Sequence, residues 1–498
     1  MFYLRARKID LSSNHKKTII INHRKALEEA ITTDTKLEIS KPNSKKKFIV
    51  NVDITEKLVS HHEIGISNSL WEKINVHEGE IIEVNFLSQP KSILSIRKKL
   101  LGKELNYNEI KSILEDIVSG RLGTIEATYF AACGFNPGFN DKELYYLTKA
   151  MAYTGDVFKW PYEKVVDKHS IGGLAGKGIT PILVSIISSL GLVIPNTSTR
   201  SITSPAGTTD VMEVLCNMVY SKEEIEDLIR RNNACIVWGG GLDLAPADEA
   251  LIDIEKPLGI ELYDKFIVSI MAKKVAIGLT HLVLDIPYGP DTKVHHSEDV
   301  HMIQKKFESI AEKFGIKIKV VTRHAIGPDG RGIGPVLEAI DLLKVLLQRD
   351  DRYLPLEDVS LMLAGELLEL CGEAKPGKGY EKAKKELQSG RAYKAFQKII
   401  AAQGGNPNVQ PEDLRPGQYQ CDITADHDGV VTDIENHLIK DLAHSLGAPN
   451  IKSAGIYLHK QVGETVSKGE KLFTIYSTSD KRVHLACEIL KYKNIVIY

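Results

Sequence analysis

The sequence predicts an α/β multidomain protein: a mainly parallel sheet flanked by helices, preceded by an N-terminal β-rich domain and a helical domain, and followed by a C-terminal α+β domain. Three observations carry this. The chain has 498 residues, and at roughly 150 residues per domain it holds about three separate cores. Hydrophobic periodicity changes near Ile93 from alternation to a helical spacing, which marks a passage from strands to amphipathic helices. Between Val165 and about Ile340 strand-like and helix-like runs alternate, and such alternation implies parallel strands covered on both faces.

Taken in order, residues 1–88 form the β-rich domain, because the runs 17–23, 36–40, 47–55 and 80–87 alternate apolar and polar residues between polar turns. Residues 89–162 form the helical domain, with amphipathic runs at 96–122, 124–135 and 141–155 and Asn106 as the cap of the second helix. Residues 163–340 form the α/β domain: a glycine-rich turn at 172–178 leading into a helix, strands at 192–198, 234–241, 280–289 and 316–324, and a helix at 223–233. Residues 341–419 continue as helices and a connecting loop, and residues 420–498 return to short β runs with Gly463 and Gly469 at hairpin positions.

Lysine plus arginine total 64 against 65 aspartate plus glutamate, a formal charge of −1, so no overall field holds a polyanion and bulk nucleic-acid binding is excluded. The longest apolar stretch, Ile182–Ile194, is broken by Ser185, Ser188, Ser189 and Gly191 and falls short of the roughly 20 residues of a membrane span. The amino-terminal run is charged from Arg5 onward, unlike a signal peptide. Six cysteines are scattered without a CxxC pair, which fits buried thiols in a reducing compartment, and a cytoplasmic location is expected. The adjacent pairs His61-His62 and His295-His296 point to opposite sides of an extended chain with no carboxylate at a fixed spacing, so no metal is assigned.

Three segments have the residue types of a site. Asp167-Lys168-His169-Ser170-Ile171-Gly172-Gly173 stands between an apolar run and an apolar helix. Glycines there expose backbone N–H groups to an anion, Lys168 adds charge and Ser170 a hydroxyl, as in a phosphate cradle; an ordinary strand-to-helix turn with a solvated lysine is the other reading. The spacing of Gly172–Gly178 excludes a P-loop, since Lys177 is followed by Gly178. Asn196–Asp210 crowds hydroxyls around Arg200, which suits oxyanions and sugar hydroxyls, or a plain surface loop. Ser269 and Lys273, four residues apart in an apolar helical run, share one face, where both meet a ligand or a lysine simply snorkels beside a packed serine.

In order, these segments resemble the thymidine phosphorylase family of pentosyltransferases. The match runs through Asp167–Ser170, Ser198–Arg200 with Gly207-Thr208 and the Asp210 to Glu213 spacing, Leu244–Asp248, and Ser269–Lys274, and covers roughly residues 90–498. Residues 1–88 and the run Ser201–Thr208 resemble the long subgroup that contains archaeal AMP phosphorylases and bacterial thymidine phosphorylases. The resemblance implies phosphorolysis, most simply thymidine plus phosphate giving thymine plus 2-deoxy-α-D-ribose 1-phosphate, with AMP giving free base and ribose 1,5-bisphosphate as the alternative. It implies that Lys168, Ser170, Gly173, Ser198, Thr199 and Thr208 hold phosphate. His169 and Lys273, with Ser269, would face the base, and Arg200, Ser201, Ile202, Thr203 and Ser204 would line the nucleoside. Glu261 matches the acid of AMP phosphorylases, which have aspartate there, and Lys293 matches a further ligand-binding lysine of that subgroup. Where short members use an arginine for the pyrimidine, this chain offers Lys256, which cannot form a planar fork.

The resemblance further implies no cofactor, inorganic phosphate being a co-substrate, and a homodimer or higher homo-oligomer, with contact through the helical domain, which residues from about 255 to 279 would rejoin. The C-terminal tail is expected to be barrel-sandwich-like, similar to lipoyl or biotinyl carrier hairpins. A carrier function is the rival class, but neither Lys468 nor Lys471 stands at a dedicated hairpin tip.

Overall fold

The computed structural model describes residues 1–11, 17–201, 204–242, 244–255, 262–290, 292–491 and 495–498. Contacts divide them into two units, Met1–Thr154 with Pro246–Leu262, and Gly155–Ala245 with Tyr263–Tyr498.

In the first unit, strands β1 (Phe2–Ile9), β2 (Thr18–Asn22), β3 (Lys36–Ser40), β4 (Phe48–Thr55), β5 (Glu63–Ser67) and β6 (Ile81–Phe86) close a barrel in the order β1-β5-β2-β4-β3-β6. Alternation closes it: Phe2, Leu4 and Ala6 of β1 point inward to meet Ile19, Ile39, Val50, Ile64 and Val84. Strands β1 and β5 lie outside the four runs read from the sequence. The outer face of β1 carries Arg5 and Arg7, and β5 is five residues long and centred on Gly65, so neither has a strong strand signature. Short helices α1 (His23–Glu28) and α2 (Asn68–Ile74) fill connections between strands.

Helices α3 (Ser92–Leu100), α4 (Tyr107–Ser119), α5 (Thr124–Ala132) and α6 (Asp141–Ala152) follow. Asn106 caps α4 as its sequence indicates: its Oδ1 accepts the Glu109 N–H at 3.1 Å while the Glu109 carboxylate accepts the Asn106 N–H at 2.8 Å.

The second unit opens with β7 (Val166–Ser170), α7 (Ile179–Ser189), β8 (Ile194–Ser198), α8 (Thr208–Met212), α9 (Lys222–Asn232) and β9 (Ala234–Trp238). Helix α10 (Pro246–Glu255) returns to the first unit and packs on α4 and α5. Then come α11 (Tyr263–Ala276), β10 (His281–Tyr288), α12 (Ser297–Lys313) and β11 (Lys317–His324). The stretch that rejoins the helical layer is thus Pro246–Leu262, whereas the sequence suggested about 255–279; α11 belongs with the sheet, where its Lys274 is bound to Asp167. All five strands run parallel, in the orders β11-β10-β7 and β8-β9, and a parallel bridge between Val165 and Val193 joins the two sets. This is the parallel sheet that the strand and helix alternation predicts.

Strand β12 (Gly332-Ile333) and helices α13 (Pro335–Leu346), α14 (Leu354–Leu370), α15 (Gly379–Gln388) and α16 (Arg391–Ala402) follow, burying Leu342, Leu367 and Phe396 against Ile182 and Ile186 of α7. The tail comprises β13 (Tyr419–Thr424), β14 (Gly429-Val430), β15 (Asp433-Ile434), α17 (Asn436–Leu446), β16 (Gly455–Leu458), β17 (Thr465-Val466), β18 (Lys471–Ser477), α18 (Asp480–Leu490) and β19 (Val496-Ile497). Its main sheet has the order β12-β16-β18-β13. Among the described residues no helix is long and apolar enough to cross a membrane.

Candidate active site

Asp167–Ser170 lies in β7, and the turn begins after Ser170, because β7 stays hydrogen-bonded to β10 up to the Ser170–Asp285 pair. A strand sends successive side chains to opposite faces, and this sorts the tetrad. Asp167 and His169 turn toward α11. Lys168 and Ser170 turn toward the glycine-rich loop and the ends of β10 and β11.

On the second of these faces, Ser170 Oγ donates to Asp285 Oδ2 at 2.8 Å and accepts from Lys177 Nζ at 3.0 Å. Arg323 reaches Asp285 with Nε at 2.9 Å and Asp329 with Nη1 at 2.6 Å. Asp285 has no exposed surface; burial raises its pKa, but Arg323, Lys168 and Lys177 overcome this and hold it at about 2. Burial pushes the Lys168 ammonium down to about 8, partly offset by Asp285, and lowers Lys177 as well. Lys293 acts on Lys177, and its Cε lies 3.9 Å from where a Cβ on Gly172 would stand. Gly173 has φ +105°, and a Cβ there would come within 2.7 Å of the Lys293 backbone nitrogen, so this close approach requires glycine. Lys168, Lys177 and Arg323 therefore face Asp285 and Asp329, and these five groups carry an excess of one positive charge.

On the other face, Asp167 Oδ1 accepts from Asn196 Nδ2 at 2.6 Å and Oδ2 from the buried Lys274 ammonium. His169 has its pKa well below 6.5, through burial and the charges of Lys274, Lys168 and Lys273. The imidazole is neutral at physiological pH and can donate a hydrogen bond, but it is a poor source of a proton. Ser269 and Lys273 are half-buried on α11.

The hydroxyl-rich segment is tied mainly to itself. Ser198 Oγ is 2.7 Å from Thr209 Oγ1. Arg200 pairs with Glu213 at 2.6 Å and stacks 4.0 Å over Trp238, so its guanidinium is already engaged. The Ser201 N–H donates to Asp210 at 2.7 Å and the Ser201 hydroxyl to the Ser204 carbonyl. Thr199 is exposed, and Thr208 is half-buried at the first residue of α8. Lys452 of the tail holds Asp210 at 3.0 Å and Glu213 at 2.7 Å. Ile202, Thr203, Lys256 and Glu261 lie outside the described residues. Lys177, Asp285, Arg323 and Asp329 escape a reading of the sequence, although a lone charge in an apolar strand, such as Asp285 in β10, is a usable signal.

Residues 162–393 match the glycosyl transferase family a/b domain, and residues 430–497 match the pyrimidine nucleoside phosphorylase C-terminal domain. The chain is 37% identical over 491 residues to an AMP phosphorylase of Methanococcus maripaludis strain C7, covering 99% of this chain and 96% of that one. The chain belongs to the thymidine phosphorylase and AMP phosphorylase family. A Legionella pneumophila protein named "Putative thymidine phosphorylase" is 38% identical over 469 residues, covering 94% of this chain and 90% of its own. The anthranilate phosphoribosyltransferase of Thermus thermophilus shares the fold of the core, with TM-score 0.52 and 17% identity over 62% of this chain and 99% of its own. Membership makes this chain a pentosyltransferase of the nucleoside phosphorolysis class, as its ordered motifs imply.

Proposed function

We propose that this enzyme cleaves the N-glycosidic bond of thymidine with inorganic phosphate, giving thymine and 2-deoxy-α-D-ribose 1-phosphate. The observation that carries the phosphate step is the excess of positive charge around Ser170 at the carboxyl ends of β7, β10 and β11, where open α/β sheets take their ligands. Lys168, Ser170, Gly173, Ser198, Thr199 and Thr208 hold phosphate so that one oxygen approaches C1′. A bond forms from that oxygen to C1′, the C1′–N bond breaks, and its electron pair goes to the base, which takes up a proton. Neutral His169 donates a hydrogen bond to the departing base, Lys273 and Ser269 contact its polar edge, and the thymine anion takes its proton from water; with a purine nucleotide Glu261 supplies the acid. Arg200, Ser201, Ile202, Thr203 and Ser204 frame the sugar, with Arg200 acting through its grip on Glu213, and Lys293 adds a cation beside them. No cofactor enters this scheme. Action in the cytoplasm, and a homodimer joined by its helical layers, belong to the same proposal; sedimentation tests the dimer.

A second reading, AMP as substrate and ribose 1,5-bisphosphate as product, is favoured by the alignment to AMP phosphorylases over 99% of the chain, barrel included. The test is phosphate-dependent release of free base from thymidine, uridine, AMP, CMP and UMP, each with a phosphate-free control. Release from nucleosides alone supports the first reading and preference for monophosphates the second. No release from any removes the assigned chemistry.

A further inference from the structure

We propose that Asn436, the first residue of α17 in the C-terminal domain, is a positioning residue for phosphate, holding the loop between Ser170 and Lys177 in its binding shape. The proposal rests on the phosphate reading above. Residues 171–178 belong to no helix or strand before α7 begins, so side chains and distant backbone must hold them. Asn436 has no exposed surface. Its Oδ1 accepts the Ala175 N–H at 3.0 Å, and its Nδ2 donates to the Gly173 carbonyl at 2.7 Å. One amide thus closes two backbone bonds, as a neighbouring strand would.

Other parts of the chain grip the same loop. The Asp329 N–H donates to the Ala175 carbonyl at 3.0 Å, and Asp329 itself is a carboxylate partner of Arg323. The Glu338 carboxyl accepts the Lys177 N–H at 3.0 Å. Asn436 is the member contributed by the tail, 263 residues from Gly173 in sequence. A loop with φ +100° at Gly172 and +105° at Gly173 has wide conformational freedom when unheld, and ordering it on binding would weaken phosphate affinity. The C-terminal domain, through this contact, removes that cost before phosphate arrives.

The experiment uses the full chain and inorganic phosphate. Asn436→Leu keeps the side chain's approximate size and removes both polar atoms, Asn436→Ser keeps one hydroxyl, and Ile475→Ala empties part of the tail core, into which the loop's Ala175 also packs, while removing no atom of the Asn436 contact. Apparent KM for phosphate and for the cleaved substrate are measured, together with the unfolding midpoint and hydrogen exchange at 171–178 with and without phosphate. The expected result is about a tenfold rise in phosphate KM for Asn436→Leu, the scale of a lost buried hydrogen-bond pair, and a smaller rise for Asn436→Ser. Substrate KM stays within about twofold, loop exchange becomes faster, and Ile475→Ala lowers the midpoint alone. If Asn436→Leu does not fold, Asn436→Ser and the exchange measurement decide. An unchanged phosphate KM and loop exchange, or an equal rise in Ile475→Ala, overturns the role of Asn436 while phosphate use by the unmodified enzyme stands. If phosphate neither protects the loop nor supports turnover in the unmodified enzyme, the phosphate reading itself fails, and this proposal with it.

Discussion

Replacing Lys168 by methionine should make the protein more stable and unable to use phosphate. The side chain is 4% exposed, and burial, only partly offset by Asp285, brings its ammonium from 10.5 to about 8. A lysine whose pKa falls on folding works against the folded state wherever both states are protonated. The penalty is full below about pH 8, shrinks between about 8 and 10.5, where the folded protein has lost the proton that the unfolded chain still holds, and is gone above that. Its size at neutral pH is about 3 kcal/mol. Methionine keeps an unbranched chain of similar length without the charge, and Asp285 retains Arg323, so no carboxylate is stranded. Equilibrium urea unfolding followed through Trp160 and Trp238, both in the larger unit, should show Lys168→Met more stable by about 1–3 kcal/mol at pH 7. The gain should vanish by about pH 10.5. Phosphate should stabilise the unmodified protein and not the variant, whose phosphate-dependent base release should fall by about two orders of magnitude or more. A variant less stable at pH 7, or one that keeps its turnover and its stabilisation by phosphate, refutes the reasoning.

Other perturbations test neighbouring groups. Asp285→Asn removes the carboxylate shared by Ser170 and Arg323 and should cost about 3 kcal/mol. Since folding depresses the Asp285 pKa from 3.8 to about 2, its contribution is present above about pH 4 and lost as pH falls toward 2, so variant and parent should converge in acid unfolding curves. Burial raises Glu338 to about 8 against the pull of the Gly334 and Lys177 N–H groups. That carboxyl favours the folded state below about pH 4.5 and loses this effect as pH rises toward 8. Urea midpoints should therefore fall between pH 5 and 8 in the parent, and Glu338→Gln should flatten that slope. Glu261→Gln should reduce base release from AMP by about a hundredfold and from thymidine much less, the scale of a lost general acid; equal small effects on both would remove Glu261 from the acid role.

Much of the site is legible in the sequence where the signal is local. Glycines at 172, 173 and 176 announce the turn before α7, Asn106 with Glu109 announces the start of α4, and the alternation from Val165 onward announces the parallel sheet. Arg200 shows the limit. A lone arginine among hydroxyls reads as an anion ligand, yet Glu213 and Trp238 occupy it, and neither partner can be assigned without knowing how the loop folds. Strand β1 hides its inward row behind Arg5 and Arg7, so barrel closure is visible only once β5 and β6 flank it.

By itself the sequence determined the alternation of strands and helices from Val165 onward, the phosphorylase motifs and the absence of any overall charge for a polyanion, because periodicity, glycine spacing and composition act over a few residues. Tertiary structure alone decided which face of β7 each member of Asp167–Ser170 occupies, that Asp285 and Arg323 stand beside Ser170, and that Asn436 of the tail holds the loop. Those outcomes depend on sheet register and on burial. Both bring together groups separated by 100 residues or more in sequence, such as Ser170 and Asp285 at 115 apart, and both shift their ionisation only after water has been removed.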